Sequence, residues 1–310
     1  MNLKSTTARF ASLLVFFTVM TGQAQSFLTN GLVAYYPFNG NANDASGNGN
    51  NGTVNGATFT TDRFGYTNNA LVFDSNNVST SFFPPLGTSS RSISIWFNVT
   101  NNLQMTFLGY GGDGVYWGDR FELNMSETGN LGLDFSGAGV TTTSSYNDGN
   151  WHQFVVVAPT NAALTDASLY VDGMPQTNLS YYNNAAMNTA GTSPLVIGKL
   201  FFTDFTGSTY PVVGSLDDIR IYNRALSSSE VAGLYQFESA QIVNLNKAVW
   251  LSFSNLRNGT NYQVQVSTAL TGSFSNYGTP FAATNSTMNY PAYWNVGDWS
   301  QLLFRLQALP

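Results

Sequence analysis

The chain has 310 residues, no cysteine, and 17 Asp and Glu against 11 Lys and Arg, a net charge of −6. The missing thiol excludes disulfides and a lipid anchor on cysteine, and the acidic balance sets nucleic acid aside as a partner, because its phosphates repel such a chain. Charged residues are only 9% of the total, far below the usual figure of about 25%, so Asn, Ser, Thr and Gly carry the polarity, a surface suited to uncharged polyhydroxyl partners.

Lys4 and Arg9 precede an apolar run over residues 10–20, followed by Gly22-Gln23-Ala24. A positive start, a short apolar stretch and a small-x-small site predict a signal peptide over residues 1–25. The run is too short to span a bilayer, and no later segment reaches that length. The chain therefore reads as secreted or periplasmic, with no membrane span. Without Lys4 and Arg9 the mature chain keeps nine basic residues against 17 acidic, a net charge of −8.

A strand, Leu32-Val33-Ala34-Tyr35-Tyr36, runs into a loop of Gly, Asn and Ser around one acid, Asp44. Such residues accept left-handed backbone angles and fold side chains onto their own main chain. A loop that turns carbonyls inward around a carboxylate suits a hard cation such as calcium; a solvent-facing Asx turn at Asp44 is the alternative. Ile93, Ile95, Phe97 and Val99 alternate with Ser92, Ser94, Trp96 and Asn98, which predicts a half-buried strand. Phe121-Glu122-Leu123-Asn124-Met125 and Leu131-Gly132-Leu133-Asp134-Phe135 repeat the alternation across a Thr-Gly-Asn turn. Residues 153–158 are a continuous apolar run that suits a central strand. Ser168-Leu169-Tyr170-Val171 meets Asp172-Gly173, a hairpin turn. Strands at residues 195–198 and 219–222 complete the set, and many short strands between Gly-rich turns predict an antiparallel two-sheet sandwich. Ser227 with Glu230 three residues on is a capping box, and Val231 and Leu234 give the helix it opens one apolar side.

The first domain, residues 26–238, ends there. Residues 239–310 read as a smaller β module: a strand at 248–253, a turn at Arg257-Asn258-Gly259-Thr260 and a returning strand at 262–266. Leu256 through Ser267 resembles the Leu-x-x-Gly-x-x-Tyr-x-Val-x-x-Ser pattern of fibronectin type III-like modules, with an extra β layer on the first domain as the alternative.

Six stretches of the first domain, in order, resemble the laminin-G-like jelly-roll domain of the concanavalin A-like lectin/glucanase superfamily, in its bacterial form. They are Leu32-Val33-Ala34-Tyr35-Tyr36-Pro37-Phe38, Asn43-Asp44-Ala45-Ser46-Gly47-Asn48-Gly49-Asn50, Ser92-Ile93-Ser94-Ile95-Trp96, Asp148-Gly149-Asn150-Trp151-His152, Leu169-Tyr170-Val171-Asp172-Gly173 and the segment from Leu216-Asp217-Asp218 to Ser227. The resemblance implies two curved antiparallel sheets and a concave or rim surface that, in different members, meets glycans, proteins or no known partner. It also implies that one calcium ion links the first loop to the last strand, a role it carries to Asp44 and Asp217, with the carbonyls of Gly49 and Asn50 assisting and Asp218 beside them. Strand phase puts Asp217 on the inward face of Ile219 and Ile221, where a carboxylate must be paired or metal-bound. Asp218 shares the other face with Arg220, so the plain alternative is a salt bridge.

Residues able to do chemistry are few. His152 is the only histidine and reads as structural, because nucleophilic and metal sites need partners it lacks. Glycoside hydrolysis needs two carboxyl groups at a set separation. The laminarinase-type enzymes of the superfamily take them from one strand, starting with two acids two residues apart. No two acids in this chain have that spacing. Asp119, Glu122 and Glu127 are the nearest cluster, with Asp119 and Glu122 on opposite faces, although acids from different strands could still converge. Binding candidates are aromatics in polar loops: Tyr110, Tyr116, Trp117, Tyr181, Tyr182, Phe202 and Tyr210, with Tyr116, Trp117 and Tyr182 foremost as sugar-stacking rings; rings that cap the ends of the sandwich core are the plain alternative. The expectation is an exported, non-catalytic protein that binds extracellular polysaccharide or a cell-surface glycan or protein. A structural or adhesion protein with no glycan ligand is the rival, and a polysaccharide-degrading enzyme a minor alternative.

Overall fold

The structure, a computed structural model, describes residues 28–113, 116–202, 204, 207–239, 248–249, 251–268, 273–290, 294–295 and 303–309. The expected signal peptide, residues 1–25, lies outside them. The chain divides into two compact units, residues 1–240 and 241–310.

The first unit begins with β1 (Leu32–Tyr36), β2 (Gly52–Asn55), β3 (Thr58–Thr60), β4 (Ala70–Asp74), β5 (Asn77–Thr80) and β6 (Arg91–Asn98). There follow β7 (Met105–Gly111), β8 (Arg120–Met125), β9 (Asn130–Asp134), β10 (Gly139–Ser145) and β11 (His152–Ala158). The last are β12 (Ser168–Val171), β13 (Met174–Pro175), β14 (Leu179–Tyr182), β15 (Ser193–Ile197) and β16 (Val213–Tyr222), before the helix α1 (Ser228–Ser239). One sheet has the order β13-β12-β11-β6-β16-β4-β3, with β1 also paired to β16; the other runs β14-β10-β9-β8-β7-β15-β5-β2. The expected antiparallel two-sheet jelly-roll sandwich is what forms.

Alternation explains the layers. Phe121, Leu123 and Met125 of β8 and Leu131 and Leu133 of β9 enter one core with Ile93, Ile95 and Phe97 of β6. Gly129, at φ +80°, makes the turn between β8 and β9. Asp172 and Gly173, at φ +51° and +74°, give the two left-handed residues that a tight hairpin of matching twist requires.

Two expectations are corrected. β6 is not half-buried: Ser92, Ser94 and Trp96 are buried as well. The reason is a second apolar layer on the outer face of that sheet, where Val155, Val157, Tyr170 and Tyr222 pack with Leu226 and Val231 of the helix segment. The helix is held by the expected box: Glu230 Oε2 accepts from the Ser227 N–H at 2.8 Å, and the Glu230 N–H donates to Ser227 Oγ at 3.3 Å. The second correction concerns strand phase in β16. Its register against β6 shifts between Asp217 and Arg220, and Asp218 stands at φ +43°. This bulge inserts one residue and reverses the alternation. Leu216, Ile219 and Ile221 all reach the core, and Asp217 lies on the opposite face from Ile219, not on the same one.

The second unit has its own small core around Val264, Val266 and Tyr290. The returning strand is Asn261–Ser267, paired with Ser275–Asn276, Phe281–Ala282 and Leu303–Ala308. Ser252–Ser254 pairs separately with Thr287–Asn289. The Arg257–Thr260 turn closes through a 3.1 Å backbone bond, and the Tyr262 hydroxyl accepts from the Arg257 N–H at 2.9 Å.

Candidate functional site

The outer face of the second sheet carries a cleft of about 720 Å³, lined among others by Arg120, Glu122, Asp134, Tyr182, Phe202 and Tyr210. Its floor follows from hairpin register. With Met125 opposite Leu131, the pairing places Glu122 of β8 directly across from Asp134 of β9, so the polar side of each alternating strand faces outward together. Arg120 joins the two acids: its guanidinium lies 3.0 Å from Glu122 Oε2 and 2.6 Å from Asp134 Oδ1. Glu122 Oε1 accepts from the Thr106 hydroxyl at 2.6 Å. Asp134 also accepts from the Ser136 N–H at 2.6 Å and from the Tyr182 hydroxyl. Burial pushes the Glu122 carboxyl above its ordinary range, against the pull of Arg120 and with a further push from Asp134. Burial, and then the Asp134 charge, likewise raise the Tyr182 phenol.

The walls are aromatic. Phe202 lies under the Arg120 guanidinium, 5.3 Å from ring to charge. Tyr210 donates its hydroxyl to Asp204 Oδ2 at 2.5 Å. Tyr182 stands opposite Gly139 in the β10–β14 pairing, and its ring covers that glycine so closely that a Cβ there would lie 2.2 Å from a ring carbon. Trp117 covers Gly137 of the same turn: a Cβ on Gly137 would lie 2.9 Å from the indole nitrogen. Gly118 pins the Trp117 loop, donating to the Ser136 carbonyl at 3.3 Å and accepting from the Asn188 N–H at 2.9 Å. Trp117 and Tyr182 thus both rest on the connection from β9 into β10. Both stay open to solvent, at 62% and 50% exposure.

Of the foremost ring candidates, the structure brings Trp117 and Tyr182 to one turn. Tyr116 is exposed on the loop beside Trp117, and its N–H donates to Asp119 Oδ2 at 3.3 Å. Tyr110, read as a loop ring, is instead a fully buried residue of β7 that accepts from Arg91 at 3.0 Å. Tyr181 is exposed on β14. His152 bridges Asp172 at 2.8 Å and Asp148 at 3.1 Å; the Asp172 bond first, and both charges with it, raise its pKa. Sequence reading missed Arg120 and Asp134. Counting outward from the turn at Gly129 would have paired Glu122 with Asp134.

The carboxylates assigned to calcium, and the Asn50 carbonyl, already accept hydrogen bonds from N–H and O–H groups of the protein. Asp44 Oδ1 accepts from the N–H groups of Tyr35 and Ser46 at 2.9 and 2.8 Å, and Oδ2 from that of Asn50 at 2.9 Å. Burial opposes its charge, but bonds from Ser46, Tyr35 and Asn50 prevail and lower its pKa. The Val33 carbonyl, facing the same loop, is taken by the side-chain amides of Asn48 and Asn50 at 3.2 and 2.8 Å. The Asn50 carbonyl accepts from the Tyr36 hydroxyl at 2.6 Å, and Gly49 serves the loop through its φ of +79°. Asp217 and Asp218 pair with Arg63 at 2.8 and 2.7 Å. Asp218 does not pair with Arg220, whose partner is Glu238 at 2.5 Å. Loop and strand are joined through Tyr35, whose N–H binds Asp44 and whose hydroxyl donates to Asp218 at 2.5 Å. No group of three His, Cys, Asp or Glu converges among the described residues. An oxygen cage needs free acceptors turned to one centre, so this donor set as arranged does not fit the ion.

No helix among the described residues is long and apolar enough to cross a membrane. No curated protein matches the chain. Among solved structures, domain 4 of AbnA, an extracellular GH43 arabinanase from Geobacillus stearothermophilus in complex with arabinotriose, is 20% identical, with 66% of this chain and 98% of that one covered and a TM-score of 0.49. The binding domain of Paraclostridial Mosquitocidal Protein 1 is 16% identical, with 77% and 61% covered and a TM-score of 0.50. Trypanosoma rangeli sialidase is 17% identical, with 67% of this chain but 33% of the sialidase covered and a TM-score of 0.46. At 16% identity the likeness to the mosquitocidal protein is one of fold alone. The family model of laminin G type matches residues 73–232, from the end of β4 into α1. With more than half of its length inside that match, the chain belongs to the concanavalin A-like lectin/glucanase superfamily.

Proposed function

We propose that this protein is exported and binds an uncharged extracellular carbohydrate, without cleaving it, in the cleft over the second sheet. The observation that carries this reading is the walled cleft itself, with Tyr182 and Phe202 fixed beside hydrogen-bonding Asp134, Glu122 and Arg120. Sugars offer C–H faces to flat rings and hydroxyls to a few fixed polar groups, and a preformed site favours their capture. Charge selects among them. Among the described residues Asp113, Glu122, Asp134 and Asp204 line the cleft against Arg120 alone, and Arg120 is already engaged by two carboxylates. A uronate or sulfated glycan would find no free cation there. The same engagement speaks against hydrolysis, since neither acid presents an unoccupied carboxyl pair to a substrate.

A glycan array with the mature chain tests the reading. Neutral glycans bind, and Tyr182→Ala weakens them by about tenfold or more, the loss of one ring contact of roughly 1–2 kcal/mol. Binding only of anionic glycans, or binding indifferent to Tyr182→Ala, would reject it. Release of reducing ends from a bound polysaccharide would reject the non-catalytic part.

A further inference from the structure

Arg63, in the segment between β3 and β4, inserts its guanidinium where three parts of the first unit meet. Nη1 donates to Asp217 Oδ2 at 2.8 Å and Nη2 to Asp218 Oδ2 at 2.7 Å, both in the β16 bulge. Nε and Nη2 donate to the Glu238 carbonyl, in the last turn of α1, at 3.0 and 2.7 Å. The group lies between two rings, 4.5 Å from Phe64 and 4.4 Å from Trp96. Its side chain is only 7% exposed. Every atom it meets in the plane is an oxygen, two of them on carboxylates.

We propose that Arg63 is a built-in cation that fastens the loop after β3, the β16 bulge and the end of α1, so that this domain needs no structural metal ion. A guanidinium suits the place better than an ion. It is never deprotonated, it offers several donors in one plane, and it stacks on aromatic faces. The bulge supplies the geometry: with Asp218 at φ +43°, consecutive carboxylates point to one group where a regular strand would send them to opposite faces. Removal of the side chain leaves Asp217 Oδ2, Asp218 Oδ2 and the Glu238 carbonyl around a vacated space, an all-oxygen set that a hard divalent cation can enter with water completing its shell.

Thermal unfolding of the full mature chain tests this, with EDTA, with magnesium chloride and with calcium chloride at millimolar concentration. The wild-type transition stays in place in all three. Arg63→Ala lowers it by about 5 °C or more, and calcium chloride recovers part of that loss in Arg63→Ala while leaving wild type unmoved. Arg63→Lys, which keeps the charge and loses the fork, falls between the two. The proposal is overturned if EDTA lowers the wild-type transition, if Arg63→Lys is as damaged as Arg63→Ala, or if calcium moves Arg63→Ala no more than wild type. Should Arg63→Ala fail to fold, its refolding yield is compared with and without calcium chloride: a higher yield with calcium supports the proposal, and an equal yield overturns it.

Discussion

At the residue scale the most consequential side chain is Glu238. It is buried, and it accepts from Trp96 Nε1 at 2.8 Å, Gln153 Nε2 at 2.8 Å and Arg220 Nε at 2.5 Å. Arg220 in turn stacks on Tyr35 with its charge 3.7 Å from the ring centre. Loss of one member of a buried charged pair strands the other, which costs about 3–5 kcal/mol. Glu238→Ala is therefore expected to lower stability by that amount in urea denaturation. Glu238→Gln, which keeps an acceptor for Trp96 or Gln153, loses less. His152 makes a pH prediction. The Asp172 bond first, and the Asp172 and Asp148 charges with it, raise its pKa above the ordinary 6.5. A histidine raised in the folded state favours folding below its unfolded value of about 6.5 and loses that contribution as pH rises through the folded value. Stability is thus expected to fall as pH rises above about 6.5, and His152→Gln to flatten that slope; urea midpoints taken at acidic, neutral and alkaline pH read the difference.

At the element scale the turn between β9 and β10 matters most, because Trp117 and Tyr182 both rest on its glycines. Gly139→Ala adds only a methyl group, yet it displaces the Tyr182 ring. It is expected to weaken glycan binding nearly as much as Tyr182→Ala while the melting transition moves little, measured by isothermal titration calorimetry beside a thermal scan. How much was legible differs by element. The β8–β9 hairpin, the Asp172-Gly173 turn and the Ser227–Glu230 box could be read because each is a local pattern of turn chemistry and alternation. The exposed pair of rings was legible as residues, but not their common turn, which depends on the β10–β14 register. The β16 phase was misread because a bulge is invisible to a two-residue period. Arg63 and Glu238 were not singled out because their partners lie far away in the chain, 175 residues apart in the case of the bond between them.

At the scale of the whole molecule, the cleft, the sandwich core and the charged layer all belong to residues 1–240. On the proposed function, residues 26–240 alone are expected to bind the same glycans as residues 26–310, within about twofold. A chain ending at residue 226 loses the helix, exposes Val155, Tyr170 and Tyr222 and leaves Arg220 without Glu238; aggregation on size-exclusion chromatography is the expected outcome.

Glu238 also sets an order of events. Its partner Trp96 stands 142 residues earlier, so a growing polypeptide carries that indole, the Gln153 amide and the Arg220 charge unmatched until the helix has been synthesised. Contacts of such long range form slowly. The outer face of the first sheet is therefore expected to close last, leaving a ribosome-bound chain pliable until nearly all of its first unit has emerged.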